Sequence, residues 1–240
     1  MKENGLTDIE LFKKGVENEP KLSEYQLESL EIMGGFFARN SVYFKRIYKA
    51  HRNKEPIVEI TYKKGAALKI AFDRESREVI ISDTSSKGEV KFGLDSFLRL
   101  MELSDLCLSS YIPTGSVVEL DLDLLPENLS SVMTEARAII INQKAMFHEE
   151  ADTLYIDYVA NLWPHGNQGN IPPIFLSNMN IKSVLHEGYT TNEEREYNQK
   201  VKETIVNTQQ RSIAFMSDKD LKRLENKMLI VAKKEGETHG

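Results

Sequence analysis

The densest group of residues able to bind a metal consists of His148, Glu149, Glu150 and Asp152. Imidazole and carboxylate groups are ordinary metal ligands, but a metal site needs them to converge from fixed elements. These four lie close together between two apolar runs, which predicts a hairpin loop whose charged side chains face water. We therefore prefer a solvated loop to a metal site, and we expect no metal and no cofactor.

Two further residue types could support catalysis. His186 and Glu187 would resemble a general-base pair, but neighbours in a strand point to opposite faces, so neither would orient the other. The single cysteine, Cys107, lies in an apolar helical run and is interpreted as a buried thiol. The sequence contains no glycine-rich phosphate loop and no G-x-S-x-G elbow. We therefore assign no catalytic residue and expect a protein that is not an enzyme.

Three carboxylates alternate with apolar residues in the run ELDLDLL, namely Glu119, Asp121 and Asp123. The alternation predicts a strand with one acidic and one apolar face. Paired carboxylates perform acid–base chemistry only where burial separates their pKa values. A solvated strand face is the preferred interpretation, and an acidic strip that binds a partner remains open.

The segment DYVANLWPHGNQGN, residues 157–170, contains the chain's only tryptophan. Proline cannot donate to a sheet ladder, so the chain should leave a strand at Trp163–Pro164, and Gly166 permits the return. We expect Trp163 to pack as an apolar plug at the end of the sheet with its indole N–H bonded, and His165 to lie at the surface. Residues Trp163, Pro164, His165 and Gly166 are thus a candidate partner-binding or structural loop.

One segment has the composition of a nucleic-acid surface, because basic and aromatic residues are interleaved in it. Its basic members are Lys45, Arg46, Lys49, His51, Arg52 and Lys54. The whole chain, however, has a formal net charge of −6, and we expect no nucleic-acid partner. No stretch approaches the roughly 18 apolar residues of a membrane span, and the N-terminus lacks a signal-peptide core, so we expect a cytoplasmic protein.

The elements that would carry these residues fall into two groups. Residues 6–33 predict helices, with a capping box at Thr7 and Glu10 and an end at Gly34–Gly35, while residues 36–54 fit either a helix or a strand. From residue 57 an alternating pattern with polar turns predicts an antiparallel meander, followed by a helix at about 94–108. Residues 1–110 are the first predicted unit.

The second unit, residues 111–235, predicts strands in GSVVELDLDLL, ARAIIINQKAMF, TLYIDYVANLW and PIFLS, then helix to about Lys234. The last helical stretch has one apolar face, formed by Leu221, Leu224, Met228 and Val231, and residues 236–240 are a predicted frayed tail. The fold class is therefore α+β, with two antiparallel β-sheet subdomains flanked by helices, and a pseudo-twofold relation between them is left open.

An ordered set of short motifs runs through the second unit. They comprise Pro113 and Gly115 to Val118, then Asp157, Tyr158, Trp163, Pro164 and Gly166, then Phe175 and Ile181, then Glu187 to Tyr189. The set resembles a small family of domains of unknown function encoded in type VII secretion loci of Gram-positive bacteria, beside genes of LXG toxins. The resemblance covers about residues 110–200, and the first 110 residues have no counterpart in the minimal family domain.

The resemblance implies a non-enzymatic cytoplasmic chaperone or adaptor that holds an LXG toxin, or its small helical targeting partners, before export. EspG-type secretion chaperones are similar at the level of fold. The alternative is an immunity protein that binds a toxin's catalytic domain, with the acidic strip covering a basic site. An enzyme using His148, His165 and His186 is the third hypothesis. We expect a protein partner and no membrane span.

Overall fold

Five helices and ten strands form the part of the chain that the computed structural model describes, which comprises residues 6–61, 67–84, 88–125, 135–148, 153–166 and 173–216. The helices are α1 (Asp8–Glu17), α2 (Leu27–Arg39), α3 (Ser41–Arg52), α4 (Leu94–Leu108) and α5 (Asn192–Asn207). Helix α1 begins with the predicted capping box, because Thr7 and Glu10 each bind the other's backbone N–H. None of the helices within these ranges is long and apolar enough to cross a bilayer.

The first sheet is the predicted antiparallel meander. Its strands follow chain order: β1 (Ile57–Thr61), β2 (Ala67–Asp73), β3 (Glu78–Asp83) and β4 (Glu89–Gly93). Alternate residues of β1 and of β3 are buried, as expected for a sheet with one face on a core. Helix α4 starts directly after β4 and has the bounds that the sequence predicts.

The second sheet contains the other six strands. These are β5 (Val117–Leu120), β6 (Arg137–His148), β7 (Thr153–Leu162), β8 (Ile174–Leu176), β9 (Ile181–His186) and β10 (Arg211–Ser212). The order is β10-β7-β6-β5-β9, with β8 also paired to β7. All pairings are antiparallel except the two-residue contact of β10 with β7. The predicted α+β class with two antiparallel sheets is confirmed.

Strand β7 separates two hydrophobic cores. Tyr155 lies in the larger core, which includes helices α1–α5 and the first sheet. Tyr158 and Ala160 lie in the smaller core, which the other face of the second sheet forms with Val118, Ile140 and Ile181 among others. Helix α4 is the centre of the larger core, since ten of its 15 residues are buried. Both faces of β7 are therefore covered over its first half.

The structure corrects one expectation for the first half and decides another that the sequence left open. Gly34–Gly35 does not end α2, which continues to Arg39. A Cβ on Gly34 would lie 2.7 Å from Phe12 Cζ and 3.1 Å from Ser104 Oγ, so this glycine permits close packing of α2 on α1 and α4. The segment left open as helix or strand supplies the end of α2 and all of α3.

Two expectations for the second half also differ from the structure. The strand in ELDLDLL ends at Leu120, and Leu122–Leu124 forms a single 3₁₀ turn. The predicted long helix ends at Asn207, after which the chain returns to the sheet as β10. Residues 217–240 lie outside the described part, and with them the proposed apolar face and the predicted tail.

Candidate docking face

The tryptophan of the candidate loop lies at the surface. Trp163 is 48% exposed, so the prediction of a buried plug is wrong. The backbone N–H of Trp163 donates to the carbonyl of Arg137 at 2.8 Å, which keeps the chain paired with β6 one residue beyond β7. His165 is exposed as expected. Gly166 has φ +66°, the left-handed conformation that favours glycine, while the return of the chain that it was predicted to permit lies outside the described residues.

Apolar side chains extend from this tryptophan across one face of the second sheet. Val117 pairs with Ile139, and Val159 pairs with Phe175. Ile141 lies in a bulge of β6, where the partner of Ile140 is Ala160 and that of Asn142 is Val159. Residues two apart in a strand share a face, which places Val159 and Trp163 together. We call this set the docking face: Val117, Ile139, Ile141, Val159, Trp163 and Phe175.

The docking face is apolar without belonging to a core. None of its six members is part of either hydrophobic core of the described residues. Ile141 is 41% and Phe175 40% exposed, and Val117, Ile139 and Val159 are half-buried. Two polar residues lie among them, Asn161, which pairs with Ile139, and Asn142, which pairs with Val159. Contiguous accessible apolar surface of this kind marks sites of interaction.

The same side of β7 is covered further back along the strand. Tyr155 packs in the larger core with α4, and Asp157 is buried at 1% exposure. Tyr155 and Asp157 lie on the same face of β7 as Val159 and Trp163, because residues two apart in a strand share a face. That face is therefore buried in the first half of β7 and exposed at its end. The docking face therefore rests on a strand whose first half is firmly anchored.

Buried polar side chains line the contact between α4 and the β6–β7 hairpin. Lys144 of β6 forms an ion pair with Asp157 of β7. Asn178 donates to Asp105 of α4 at 3.0 Å and accepts from the Tyr158 hydroxyl at 2.8 Å. We call these five residues the buried seam. Asp157 and Tyr158 belong to the sequence motif D-Y, so this motif positions the hairpin on the helix.

A second buried cluster holds the end of the described chain. Arg99 of α4 binds Glu19 at 2.8 Å and Glu102 at 2.9 Å. Glu102 also accepts from Arg211 at 2.8 Å and from the N–H of Ser212. Four charges therefore neutralise one another beside β10, and they fix that strand against α4.

Two glycine-containing motifs meet at the other end of the sheet. Gly115 has φ +86°, and the buried hydroxyl of Ser116 accepts from the N–H of Gly188 at 2.8 Å. A Cβ on Gly188 would lie 2.2 Å from the carbonyl oxygen of Thr114. Only glycine fits there, and the motif around Gly188 is explained by this close backbone contact.

The carboxylates of the predicted acidic strip are bound within the protein. Glu119 accepts from Lys182 at 2.7 Å and from the Ser183 hydroxyl at 2.9 Å, and the hydrogen bond from Lys182 lowers the pKa of Glu119. Lys49 lies 3.5 Å from Asp121 and forms an ion pair with Asp123. The hydrogen bond from Lys49 likewise lowers the pKa of Asp123. Each of the three carboxylates therefore has a lysine partner within the protein.

The basic segment of α3 contacts the rest of the molecule. Arg46 binds Glu55 through two hydrogen bonds of 2.9 and 2.7 Å. Lys45 donates to the carbonyl of Ile181, and burial lowers its pKa. Arg46 thus connects α3 to the segment that precedes β1, and Lys45 connects it to the second sheet.

The remaining candidates do not come together in one place. Cys107 is buried, which confirms the prediction of a buried thiol, and burial raises the pKa of that thiol to about 12. His186 and Glu187 are exposed. Of His148 the backbone is described, whereas Glu149, Glu150 and Asp152 lie outside the described residues, as does His239. Within the described ranges no three His, Cys, Asp or Glu side chains are grouped as metal ligands.

Residues 111–197 match the model of a family described as Domain of unknown function (DUF4176). This range contains all six members of the docking face and both glycine motifs. No curated protein and no solved structure matches the chain. The second half is thus similar to a domain family of unknown function.

Proposed function

We propose that this protein is a non-enzymatic, cytoplasmic chaperone or adaptor that holds an LXG toxin, or its small helical targeting partners, before type VII secretion. The observation that carries the proposal is the docking face, an accessible apolar patch with an exposed tryptophan on an anchored sheet. Tryptophan is among the residues most often found at the energetic centre of protein interfaces.

A partially covered sheet face suits a helical client. An amphipathic helix buries its apolar stripe when it is laid against an apolar surface, and anchors at i, i+3, i+4 and i+7 give it register. The rows of the docking face offer such a surface: Ile139 beside Val117, and Val159 beside Phe175. The expected partner is therefore an apolar helix face of the toxin's N-terminal region or of a targeting factor.

The residues of the sequence motifs in the second unit have two different roles, one structural and one at the surface. Gly115, Ser116, Asp157, Tyr158 and Gly188 are explained by backbone geometry or by buried hydrogen bonds. Trp163 and Phe175 are 48% and 40% exposed and belong to neither core. A large apolar side chain as exposed as that of Trp163 is a natural contact for a partner.

Co-expression tests the proposal directly. The protein is produced with the N-terminal region of an LXG toxin from the same locus, one partner is tagged, and the mixture is analysed by size exclusion at low and high salt. A 1:1 complex that persists at high salt is expected, because an apolar interface is little screened. Absence of a complex at every salt concentration would contradict the chaperone function.

The immunity alternative makes a different prediction in the same experiment. It requires binding to the toxin's C-terminal catalytic domain through Glu119, Asp121 and Asp123. Those carboxylates already bind Lys182 and Lys49, so covering a basic site would disrupt internal ion pairs. A complex with the C-terminal domain alone would replace the chaperone function with immunity.

A further inference from the structure

A polar residue, Asn161, lies at the centre of the docking face. It stands between Val159 and Trp163 along β7 and pairs with Ile139 across the sheet, so apolar members of the docking face surround it. Asn161 is 8% exposed, and its Oδ1 is buried and accepts no hydrogen bond from the residues that the structure describes. A buried amide oxygen without a donor destabilises the folded state.

The nearest polar side chains on β6 are engaged elsewhere. Asn142 lies at the bulge of β6, where its Oδ1 accepts from the N–H of Gln143 at 2.7 Å. The guanidinium of Arg137 binds Glu135 at 2.7 Å. Asparagine is also among the residue types that are depleted in strands. Neither hydrogen bonding within the described part of the chain nor strand propensity therefore accounts for an amide at Asn161.

A helix that covers the docking face excludes water from this amide. The side chain of asparagine offers one acceptor oxygen and two donor hydrogens. An entirely apolar helix would satisfy none of them, so its binding would be penalised relative to that of a helix with a polar group at this point. A second carboxamide complements both the acceptor and the donors, as in the buried asparagine pairs that fix the register of coiled coils.

We propose that Asn161 determines which helices bind: the helix held by the docking face carries an asparagine or glutamine within its apolar stripe, and this carboxamide pairs with Asn161. The inference rests on the proposed function, because it names the chemistry of the client at the same site. Val159 and Trp163 are four residues apart, or about 13 Å, which is close to two turns of helix. On a helix laid along β7, the carboxamide therefore lies about four residues from an apolar anchor on either side.

Calorimetric titration of the toxin's N-terminal region into the wild-type protein and Asn161→Leu tests the inference by the sign of the effect. Leucine has nearly the shape of asparagine without its polar atoms, so in a purely apolar interface it would tighten binding. If the client's carboxamide loses its partner, Kd instead rises by about 10-fold or more. The matched control is Asn207→Leu, at the exposed end of α5, which should leave Kd unchanged.

Thermal unfolding of the same variant separates recognition from a structural role. Removal of the unpartnered amide should raise the melting temperature of the free protein by about 2–6 °C. A protein that is more stable and yet binds its client more weakly is the expected result, which loss of structure would not produce. Asn161→Ala also removes the amide and should weaken binding as well, so the test stands even if leucine does not fit the site.

Substitutions in the client identify the partner of Asn161. Each asparagine and glutamine of the toxin's N-terminal region is replaced by alanine in turn, and each variant is titrated into the wild-type protein and Asn161→Leu. One substitution should raise Kd for the wild type by about 10-fold and have no further effect on Asn161→Leu, as coupled residues do in a double-mutant cycle.

The outcomes distinguish this inference from the proposed function. If the wild-type protein does not bind the toxin region at all, the chaperone function fails and this inference fails with it. If the wild-type protein binds, but Asn161→Leu and Asn161→Ala bind equally tightly or more tightly, the client presents no partner to Asn161. In that case only this inference is wrong, and the docking face remains the client site.

Discussion

At the scale of single residues, the exposure of Trp163 decides how the loop is interpreted. A sequence pattern predicts that an apolar residue at the end of a strand is buried. The pattern does not show whether a helix covers that end of the sheet. Helix α4 covers the sheet at Tyr155 and Asp157, whereas Trp163 lies eight residues further along the chain than Tyr155. The tryptophan therefore contributes surface rather than core.

A Trp163→Ala variant should accordingly fold with only a moderate loss of stability. Because the side chain is 48% exposed, we expect a loss of about 1–2 kcal/mol, in contrast to the ~3–5 kcal/mol for a fully buried ring. Urea unfolding followed by circular dichroism measures the difference. A loss above about 3 kcal/mol would return Trp163 to a structural role.

Gly188 should be among the least replaceable residues. A Cβ there would lie 2.2 Å from the Thr114 carbonyl oxygen, so Gly188→Ala should destabilise the protein by about 2–4 kcal/mol through forced backbone movement. Gly35→Ala is the matched control, since the nearest atom would lie 3.5 Å away, at the end of the Arg39 side chain. That control should be neutral or stabilising by up to ~1 kcal/mol in thermal unfolding, because alanine is the better helix former.

At the scale of elements, α4 buries charged residues as well as its apolar stripe. The spacing of Phe97, Leu98, Met101 and Leu108 predicts the helix and one buried side. It does not predict that Arg99, Glu102 and Asp105, three residues apart, are buried as well. The i, i+3, i+6 spacing is the available signal, but charged residues in such a pattern ordinarily face water. Only the tertiary fold supplies their partners Glu19, Arg211 and Asn178.

Glu102→Ala should therefore be strongly destabilising. It leaves Arg99 and Arg211 without their shared carboxylate and removes the acceptor of the Ser212 N–H, at a cost of about 3–5 kcal/mol. Glu31→Ala removes the surface pair with Lys13, 3.0 Å long and partly exposed, and should change stability by less than about 1 kcal/mol. Equal effects of the two substitutions in urea titrations would refute the importance of the α4 cluster.

The strands show what alternation can and cannot establish. It predicts the first meander and the β6–β7 hairpin, because each strand presents regular apolar positions to a core. It does not predict that β5 ends at Leu120. The chain continues there into a 3₁₀ turn at Leu122–Leu124, and Lys49 pairs with Asp121 and Asp123 on either side of it. The docking face follows from register across β5, β6, β7 and β8, which the sequence does not contain.

At the scale of the whole molecule, the larger core unites both sequence halves. Tyr155, Met179, Ile205 and Phe215 from the second half pack with residues of α1–α4 and the first sheet. Composition and pattern predict two units divided near residue 110, because helices and strands alternate in two separate sets. Shared burial across that position is a property of the folded chain alone.

The shared core predicts cooperative unfolding. Trp163 is the single tryptophan and reports on the second sheet, whereas far-UV circular dichroism is dominated by helices, four of which precede residue 110. Urea unfolding curves from the two signals should coincide, as in a two-state transition. Two separated midpoints would instead support independent units divided near residue 110.

The most direct test of the docking face is calorimetric titration of the toxin's N-terminal region into the wild-type protein, Trp163→Ala and Ile32→Ala. Ile32 is 65% exposed on α2, is not a member of the docking face, and is the matched control. The account predicts that Trp163→Ala raises Kd by about 30-fold or more, as loss of an interface hot spot does, while Ile32→Ala leaves it unchanged. Binding that is equally tight in all three proteins would contradict the docking face as the client site.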